Sequence, residues 1–223
     1  MKSRCLIVFV KSPEAVSVKS RLAATIGEQK ARRLYRCFVE DLLDSVDKGN
    51  YGLKIFFYPP GEQPVLSRWL GSDRAYEPQI GEDLGERMKN AFDACFAEGC
   101  DKAILIGSDC PDLPLEIIDE GFAALPSCDA VIGPSLDGGY YLIGFQSGTF
   151  LPELFRGIPW STDGVLKSTL AIADRKGLCV SLLPPWRDID TQEDLKALVE
   201  RHRSTPFARS RTVRCALSGN GSE

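Results

Sequence analysis

The feature that most constrains this chain is a repeated switch between two hydrophobic rhythms. Short unbroken apolar runs alternate with longer segments whose apolar residues recur every three or four positions. Residues 5–10 (CLIVFV) form the first run, which suits a strand buried on both faces. Ala31, Leu34, Tyr35, Phe38, Val39, Leu42, Leu43 and Val46 then mark one face of a helix that ends near Gly49. Further strands are expected at residues 53–58, 102–106, 130–132, 140–145 and 178–183, and helices around 84–96, 114–124, 162–175 and 191–202. Alternation of this kind predicts an α/β fold with a mostly parallel central sheet and helices on both faces. Residues 1–203 read as a single domain. The segment 204–223 loses apolar periodicity and gathers Arg209, Arg211 and Arg214, so a loosely ordered C-terminal tail is expected there.

Charge and cysteine content narrow the function. The formal net charge is −4, which argues against a general nucleic-acid binder, because such proteins need a positive field to displace counterions from phosphates. No segment approaches the ~18 to 20 consecutive apolar residues of a membrane span, and no cleavage site follows the first apolar run, so a cytoplasmic protein is expected. The eight cysteines lie at 5, 37, 95, 100, 110, 128, 179 and 215, with no Cys-x-x-Cys pair, and His202 is the single histidine. Zinc sites of Cys and His and Ser-His-Asp chemistry therefore have almost no raw material. The cysteines read as reduced, several of them as small hydrophobes.

In open α/β sheets ligands bind beyond the carboxyl ends of the strands, and four polar segments fall at such positions. The first, residues 11–21, carries Lys11, Lys19, Ser20 and Arg21, suited either to phosphate oxygens or to a solvated loop. The second, residues 107–113, places Asp109 just past an apolar strand, where a carboxylate can hold a divalent cation, and Asp112 where it can cap the next helix. In the third, Gly138 and Gly139 follow Asp137, permitting close approach of a ligand to the backbone or simply making a hairpin turn. In the fourth, Asp188 and Asp190 alternate on an extended stretch and so face one side. They could hold a metal or orient a sugar hydroxyl, or Asp190 and Thr191 could cap the last helix.

Several of these stretches also resemble a known family. They are Lys11 and Pro13 with Val18-Lys19-Ser20-Arg21-Leu22, Gly81-Glu82-Asp83-Leu84-Gly85-Glu86-Arg87-Met88, and Gly107-Ser108-Asp109-Cys110-Pro111-Asp112-Leu113. Gly133-Pro134, Asp137-Gly138-Gly139-Tyr140-Tyr141-Leu142, Trp160-Ser161-Thr162 and Asp188-Ile189-Asp190-Thr191 complete the set. The chain resembles the bacterial nucleotide-diphospho-sugar transferases of the arsenosugar-biosynthesis type, which are similar in fold to molybdenum-cofactor and phospholactate guanylyltransferases. It departs from them in the first loop, where Ala15-Val16-Ser17 stands in place of a Pro-Gly turn and Lys-Ser-Arg in place of Lys-Thr-Arg.

The resemblance implies a GT-A, Rossmann-like, three-layer α/β/α fold with a nucleotide over the first loop and Mg²⁺ or Mn²⁺ at Asp109. Asp137 to Tyr140 and Trp160, Ser161 and Thr162 would face the sugar or acceptor. The leading expectation is transfer of a sugar from an NDP-sugar to a small acceptor. Lys11, Lys19, Ser20 and Arg21 would bind phosphate, Asp188 or Asp190 would complete the metal shell, and Asp137 would serve as general base. The alternatives are a guanylyltransferase-like nucleotidyl transfer to a phosphorylated small molecule, with release of pyrophosphate, and a non-catalytic nucleotide-binding protein. Oligomeric state is left open, a homodimer included.

Overall fold

The computed structural model describes residues 3–218. The first apolar run becomes β1 (Ser3–Lys11), and the amphipathic stretch after it becomes α2 (Glu28–Val46), preceded by the short α1 (Ser20–Ile26). Then follow β2 (Gly52–Tyr58), α3 (Gln63–Leu70), β3 (Ala75–Pro78), α4 (Leu84–Ala97), β4 (Cys100–Ile106) and α5 (Leu115–Ala124). The second half contains β5 (Ala130–Pro134), β6 (Tyr140–Gln146), α6 (Val165–Arg175), β7 (Val180–Leu182), α7 (Gln192–Arg201) and α8 (Arg211–Leu217).

The strands form one seven-stranded sheet in the order β3-β2-β1-β4-β6-β5-β7. All pairings are parallel except those of β6, which runs antiparallel to both β4 and β5. The carboxyl ends of the six parallel strands and the amino end of β6 therefore meet at one edge of the sheet.

Alternation along the strands feeds two cores. Leu6, Val8, Val10, Ile55, Phe57, Ile104 and Ile106 pack under α2, α3 and α5. Cys5, Ile7, Phe9, Phe56, Ala103 and Leu105 pack against α4 and α6. A smaller cluster of Leu22, Leu34, Phe38, Ile189, Leu195 and Leu198 joins α1, α2 and α7. Among the described residues no helix is long and apolar enough to cross a membrane.

Three elements lie where the periodicity gave none. Ser20 and Arg21, expected in a loop, open α1, a helix whose only buried residue is Leu22. Helix α3 buries only Leu66, and β3 is a four-residue edge strand with no fully buried side chain. The expected loose tail is also different over residues 204–218. A 3-10 turn at Pro206–Arg209 leads into α8, which docks on α2. Asp41 of α2 is the physical reason: its carboxylate accepts from the backbone N–H of Arg211 at 3.1 Å and of Thr212 at 2.7 Å. It thus satisfies donors that a helix start leaves open. Residues 219–223 of the expected tail lie outside the described residues.

Candidate active site

The loops at the ligand-binding edge enclose a cleft of ≈ 760 Å³. Lys11, Lys19, Ser20 and Arg21 line it from the first loop, Asp109 from the end of β4, and Asp137, Gly139 and Tyr140 from the β5–β6 hairpin. Trp160, Ser161 and Thr162 line it from the segment before α6, and Asp188 and Asp190 from the segment before α7. Of the residues expected to form the site, Gly138 alone stays out of the lining. Its φ is +92°, and a Cβ there would stand 2.2 Å from the Asp163 carbonyl oxygen. Gly138 therefore serves the close packing of the hairpin on the 160s loop, where its own carbonyl accepts from Leu166 N–H at 2.9 Å.

Charges at the centre are locked together. Lys19 Nζ lies 2.6 Å from Asp109 Oδ1 and 2.8 Å from Asp190 Oδ1, with only 3% of the Lys19 side chain exposed. Burial works against the ammonium, but Asp109 and Asp190 more than reverse it and hold the Lys19 pKa above its ordinary value. Lys19 itself adopts a left-handed backbone, φ 53°, at the start of α1, a conformation rare outside glycine. Asp190 is thus engaged in neutralising Lys19. Helix capping falls instead to Thr191, which forms a reciprocal capping box with Asp194.

Tyr35 pins two of the loops from below. Its hydroxyl accepts from Lys11 N–H at 2.8 Å and shares a hydrogen bond with Ser108 Oγ at 3.0 Å. Burial, reinforced by the nearby Asp109, pushes the phenol up to about 12, so it stays neutral. A second pair of loops is joined by Cys110, whose thiol donates to Asp188 Oδ1 at 2.9 Å. Beside it, Ile189 N–H donates to the Asp109 carbonyl at 3.0 Å.

Asp112 does not cap α5, because Pro114 occupies that position without a side-chain cap. Its carboxylate is buried and accepts from Arg201 at 2.6 Å and Trp186 Nε1 at 3.2 Å, with His202 Nε2 at 2.8 Å. The one histidine is thus a structural partner of the 107–113 loop.

Two parts of the cleft remain electrostatically open. Asp188 is raised to about 6, first by burial and then by Asp109 and Asp137, against the Cys110 hydrogen bond that favours its charged form. Among the described residues, no three His, Cys, Asp or Glu side chains cage a metal on their own. The crowded carboxylates fit a hard cation that takes one or two protein carboxylates and completes its shell with substrate oxygens and water. Asp109 and Asp188 are the residues that would hold it.

On the other side, Lys11, Arg21 and Arg87 have no acidic partner among the described residues, and all three line the cleft. Arg87 and Tyr35 were not singled out from the sequence as site residues. Arg87 lies in the Gly81–Met88 stretch that carried the resemblance, which was its available signal. Its guanidinium stacks over the Tyr58 ring at 4.1 Å, and its Nε donates to the Gly81 carbonyl at 3.1 Å. Gly85 of that stretch is accounted for by packing. A Cβ there would come within 2.8 Å of the Trp160 ring and 2.6 Å of the Phe155 carbonyl oxygen. Ser161, with φ 66°, is a second strained residue on the cleft wall.

The fold is shared with solved nucleotidyl and nucleotide-sugar transferases, and the protein is a transferase. The chain belongs to the bacterial family described as "Uncharacterized protein conserved in bacteria (DUF2064)", whose model matches residues 42–162. It is similar to a "putative nucleotide-diphospho-sugar transferase" from Desulfovibrio desulfuricans G20 at 40% identity, over 96% of this chain and 94% of that one, with a TM-score of 0.92. The fold is shared with 4-diphosphocytidyl-2C-methyl-D-erythritolsynthase from Anaerococcus prevotii DSM 20548, 11% identical over 91% of this chain and 96% of that one, TM-score 0.62. Rv0371c from Mycobacterium tuberculosis H37Rv, solved in complex with manganese, shares it too, at 16% identity over 89% and 99% of the two chains, TM-score 0.55. No curated protein matches the chain.

Proposed function

We propose that the protein transfers a sugar from a nucleotide-diphosphate donor to a small acceptor, with Mg²⁺ or Mn²⁺ bound at Asp109 and Asp188. The observation that carries this reading is the division of charge in one cleft. Cations with no acidic partner among the described residues (Lys11, Arg21 and Arg87) and crowded carboxylates (Asp109, Asp137 and Asp188) both line it. A diphosphate needs the first set, and a cation bridging protein to diphosphate needs the second. The similarity to the Desulfovibrio protein supports the sugar-transfer form of the reading.

In this reading Lys11 and Arg21 neutralise phosphate oxygens, and Ser20 adds a hydroxyl donor. Lys19 is held off from direct ion pairing with the ligand by its two carboxylates. It keeps Asp109 fixed and adds positive field behind the diphosphate. The metal, when bound, supplies Lewis-acid stabilisation of the leaving diphosphate. Asp137 is the general base toward the acceptor hydroxyl. Its Oδ1 accepts from Gly139 N–H at 3.0 Å, which fixes the carboxylate and leaves its second oxygen for the acceptor. Trp160, Ser161 and Thr162 wall the acceptor side.

A second reading, nucleotidyl transfer with release of pyrophosphate, is favoured by the manganese-bound and cytidylyl-transferring proteins that share the fold. One experiment separates the two: thermal shift with NTPs, NDPs and NDP-sugars, each with and without Mg²⁺ or Mn²⁺. A ligand at ~100 times its Kd adds about 2.7 kcal/mol, roughly 5 to 10 °C for a domain of this size. Sugar transfer predicts metal-dependent shifts with NDP and NDP-sugar that disappear in Asp109→Asn, a variant that still offers Lys19 an oxygen. Shifts with NTPs alone favour nucleotidyl transfer. No shift with any nucleotide refutes both.

A further inference from the structure

The docking of α8 on α2 brings together two thiols that the chemistry of the cleft does not use. On α2, Lys30, Arg33, Cys37, Asp41 and Asp44 recur every three or four residues and so share one face. Helix α8 lies along that face in the opposite direction. At its start Arg211 pairs with Asp41 and Asp44. Just past its end the Ser218 carbonyl accepts from Lys30 Nζ at 2.9 Å. Cys215 stands one turn beyond Arg211, and Cys37 one turn before Asp41. The register therefore sets the two sulfurs against each other, and they share a hydrogen bond.

A second thiol pair shows why this one can react. Cys5 and Cys95 lie 3.5 Å apart, but they are 2% and 0% exposed within the core against α4. A dissolved oxidant does not reach them in the folded protein. Cys37 and Cys215 are only half-buried, with Cys215 packed on the outside of the cluster that joins α1, α2 and α7. Their surroundings also give the two sulfurs different roles. The Cys37 hydrogen bond, helped by Arg33 and Lys30, pulls the Cys215 thiol down to about 7 against its burial. Cys37 is raised, first by the same hydrogen bond and by burial, then by Cys215, Glu40 and Asp41. At neutral pH one sulfur is readily a thiolate, the form that attacks, and the other keeps its proton.

We propose that Cys37 and Cys215 are a modification site for small-molecule disulfides of the glutathione type, and that the pair closes to a disulfide that staples α8 to α2. The Cys215 thiolate attacks one sulfur of the small disulfide. A mixed disulfide forms on Cys215, the small molecule's S–S bond breaks, and one small thiol leaves. Cys37 then gives up its proton and attacks the Cys215 sulfur, releasing the second small thiol. Two protein thiols are oxidised, and one small disulfide is reduced to two thiols. Helix α2 also carries Tyr35, which holds Lys11 and Ser108, and Phe38, whose ring centroid lies 5.7 Å from Lys19 Nζ. The staple thus braces the helix beneath the cleft, although neither cysteine lines the cleft. It does not depend on which reaction the cleft performs.

The test is equilibration of the folded wild-type chain with reduced and oxidised glutathione at graded ratios, followed by peptide mapping by mass spectrometry without reductant. A cross-linked Cys37–Cys215 peptide is expected, two hydrogens lighter than the two reduced peptides together. Its formation should raise Tm by about 5 to 15 °C, the scale of one disulfide closing a long loop, and dithiothreitol should reverse the shift. In Cys37→Ser the reaction should stop with glutathione on Cys215. In Cys215→Ser the remaining Cys37, beside Glu40 and Asp41, should react about tenfold more slowly than Cys215 does. Wild-type protein that keeps glutathione on Cys215 without closing the cross-link overturns the proposal. So does a cross-link from either sulfur to another cysteine, a pair that stays reduced at every ratio, or a cross-link that leaves Tm unchanged. The wild-type map decides the matter even where a variant does not fold.

Discussion

Two groups of cations share one cleft and live in opposite conditions. The Lys19 side chain is buried and touches two carboxylates, whereas Lys11 and Arg21 are exposed and touch none among the described residues. The first arrangement organises the protein: one ammonium ties the first loop to the β4 loop and to the segment before α7. The second leaves charge available to a ligand. Lys19, expected to bind phosphate, is paired with two carboxylates in this structure, and in the proposed reading direct anion binding falls to its neighbours.

Removing Lys19 should therefore have the largest effect, and on stability. Lys19→Met strands Asp109 and Asp190 beside each other; because these carboxylates are 46% and 35% exposed, water offsets part of the buried-pair penalty and the cost is about 2–3 kcal/mol. For a domain of this size that is roughly 4–12 °C in Tm, read directly by calorimetry. A change of only a degree or two would show that the site is not rigidified by this contact, and the contrast between the two groups would fail.

Arg21→Met sharpens the contrast from the other side. The residue is exposed, with no ion pair among the described residues, so stability should change by less than about 0.5 kcal/mol. Affinity for nucleoside diphosphate should nonetheless fall about 10- to 100-fold, the scale of a charge-assisted hydrogen bond. Lys11→Met should behave alike, with a smaller loss, because a lysine offers one compact charge where arginine offers a fork. A variant that loses stability but keeps affinity would reverse the assignment.

The same contrast explains what the sequence made legible. Long elements announced themselves, because burial on both faces of a strand or one face of a helix leaves a periodic apolar record. Helix α1 and strand β3 left none: Leu22 is the one buried residue of α1, and the Ala75–Pro78 edge strand has no fully buried side chain. Helix α8 was invisible for a different reason. Ser210 caps it locally through Val213 N–H, but the N–H groups of Arg211 and Thr212 are met by Asp41, some 170 residues earlier in the chain, and no local pattern records that partner.

In the site, the polar segments could be found because charge at the end of an apolar strand has few structural uses. Their pairing could not. That Lys19 meets Asp190 across 171 residues depends on how loops cross the sheet edge. Tyr35 was readable only as part of an apolar face, and its hydroxyl finds its partners only once α2 is packed below Lys11 and Ser108.

The carboxylates divide as the cations do, which gives the smallest effect and the finest test. Asp109 and Asp190 are both paired with Lys19, whereas Asp188 has no cation beside it among the described residues, is buried near Asp109 and Asp137 and is raised to about 6. Because its folded pKa lies above the ordinary 3.8, the folded state binds the Asp188 proton more tightly than the unfolded chain does. This contribution to stability is full below the unfolded value and is lost as pH rises through about 6. Metal-free protein should therefore lose on the order of 1 kcal/mol between pH 4 and pH 7 from this group, discounted for its partial exposure. Asp188→Asn should flatten that part of the profile and leave the rest unchanged. Adding Mg²⁺ or Mn²⁺ at pH 7 should restore stability to the wild-type protein and not to Asp188→Asn, because a bound cation compensates the charge that the fold crowds together. If the wild-type and Asp188→Asn profiles superimpose, the carboxylates are solvated independently, and the division between engaged and open charge holds for the lysines and arginines alone.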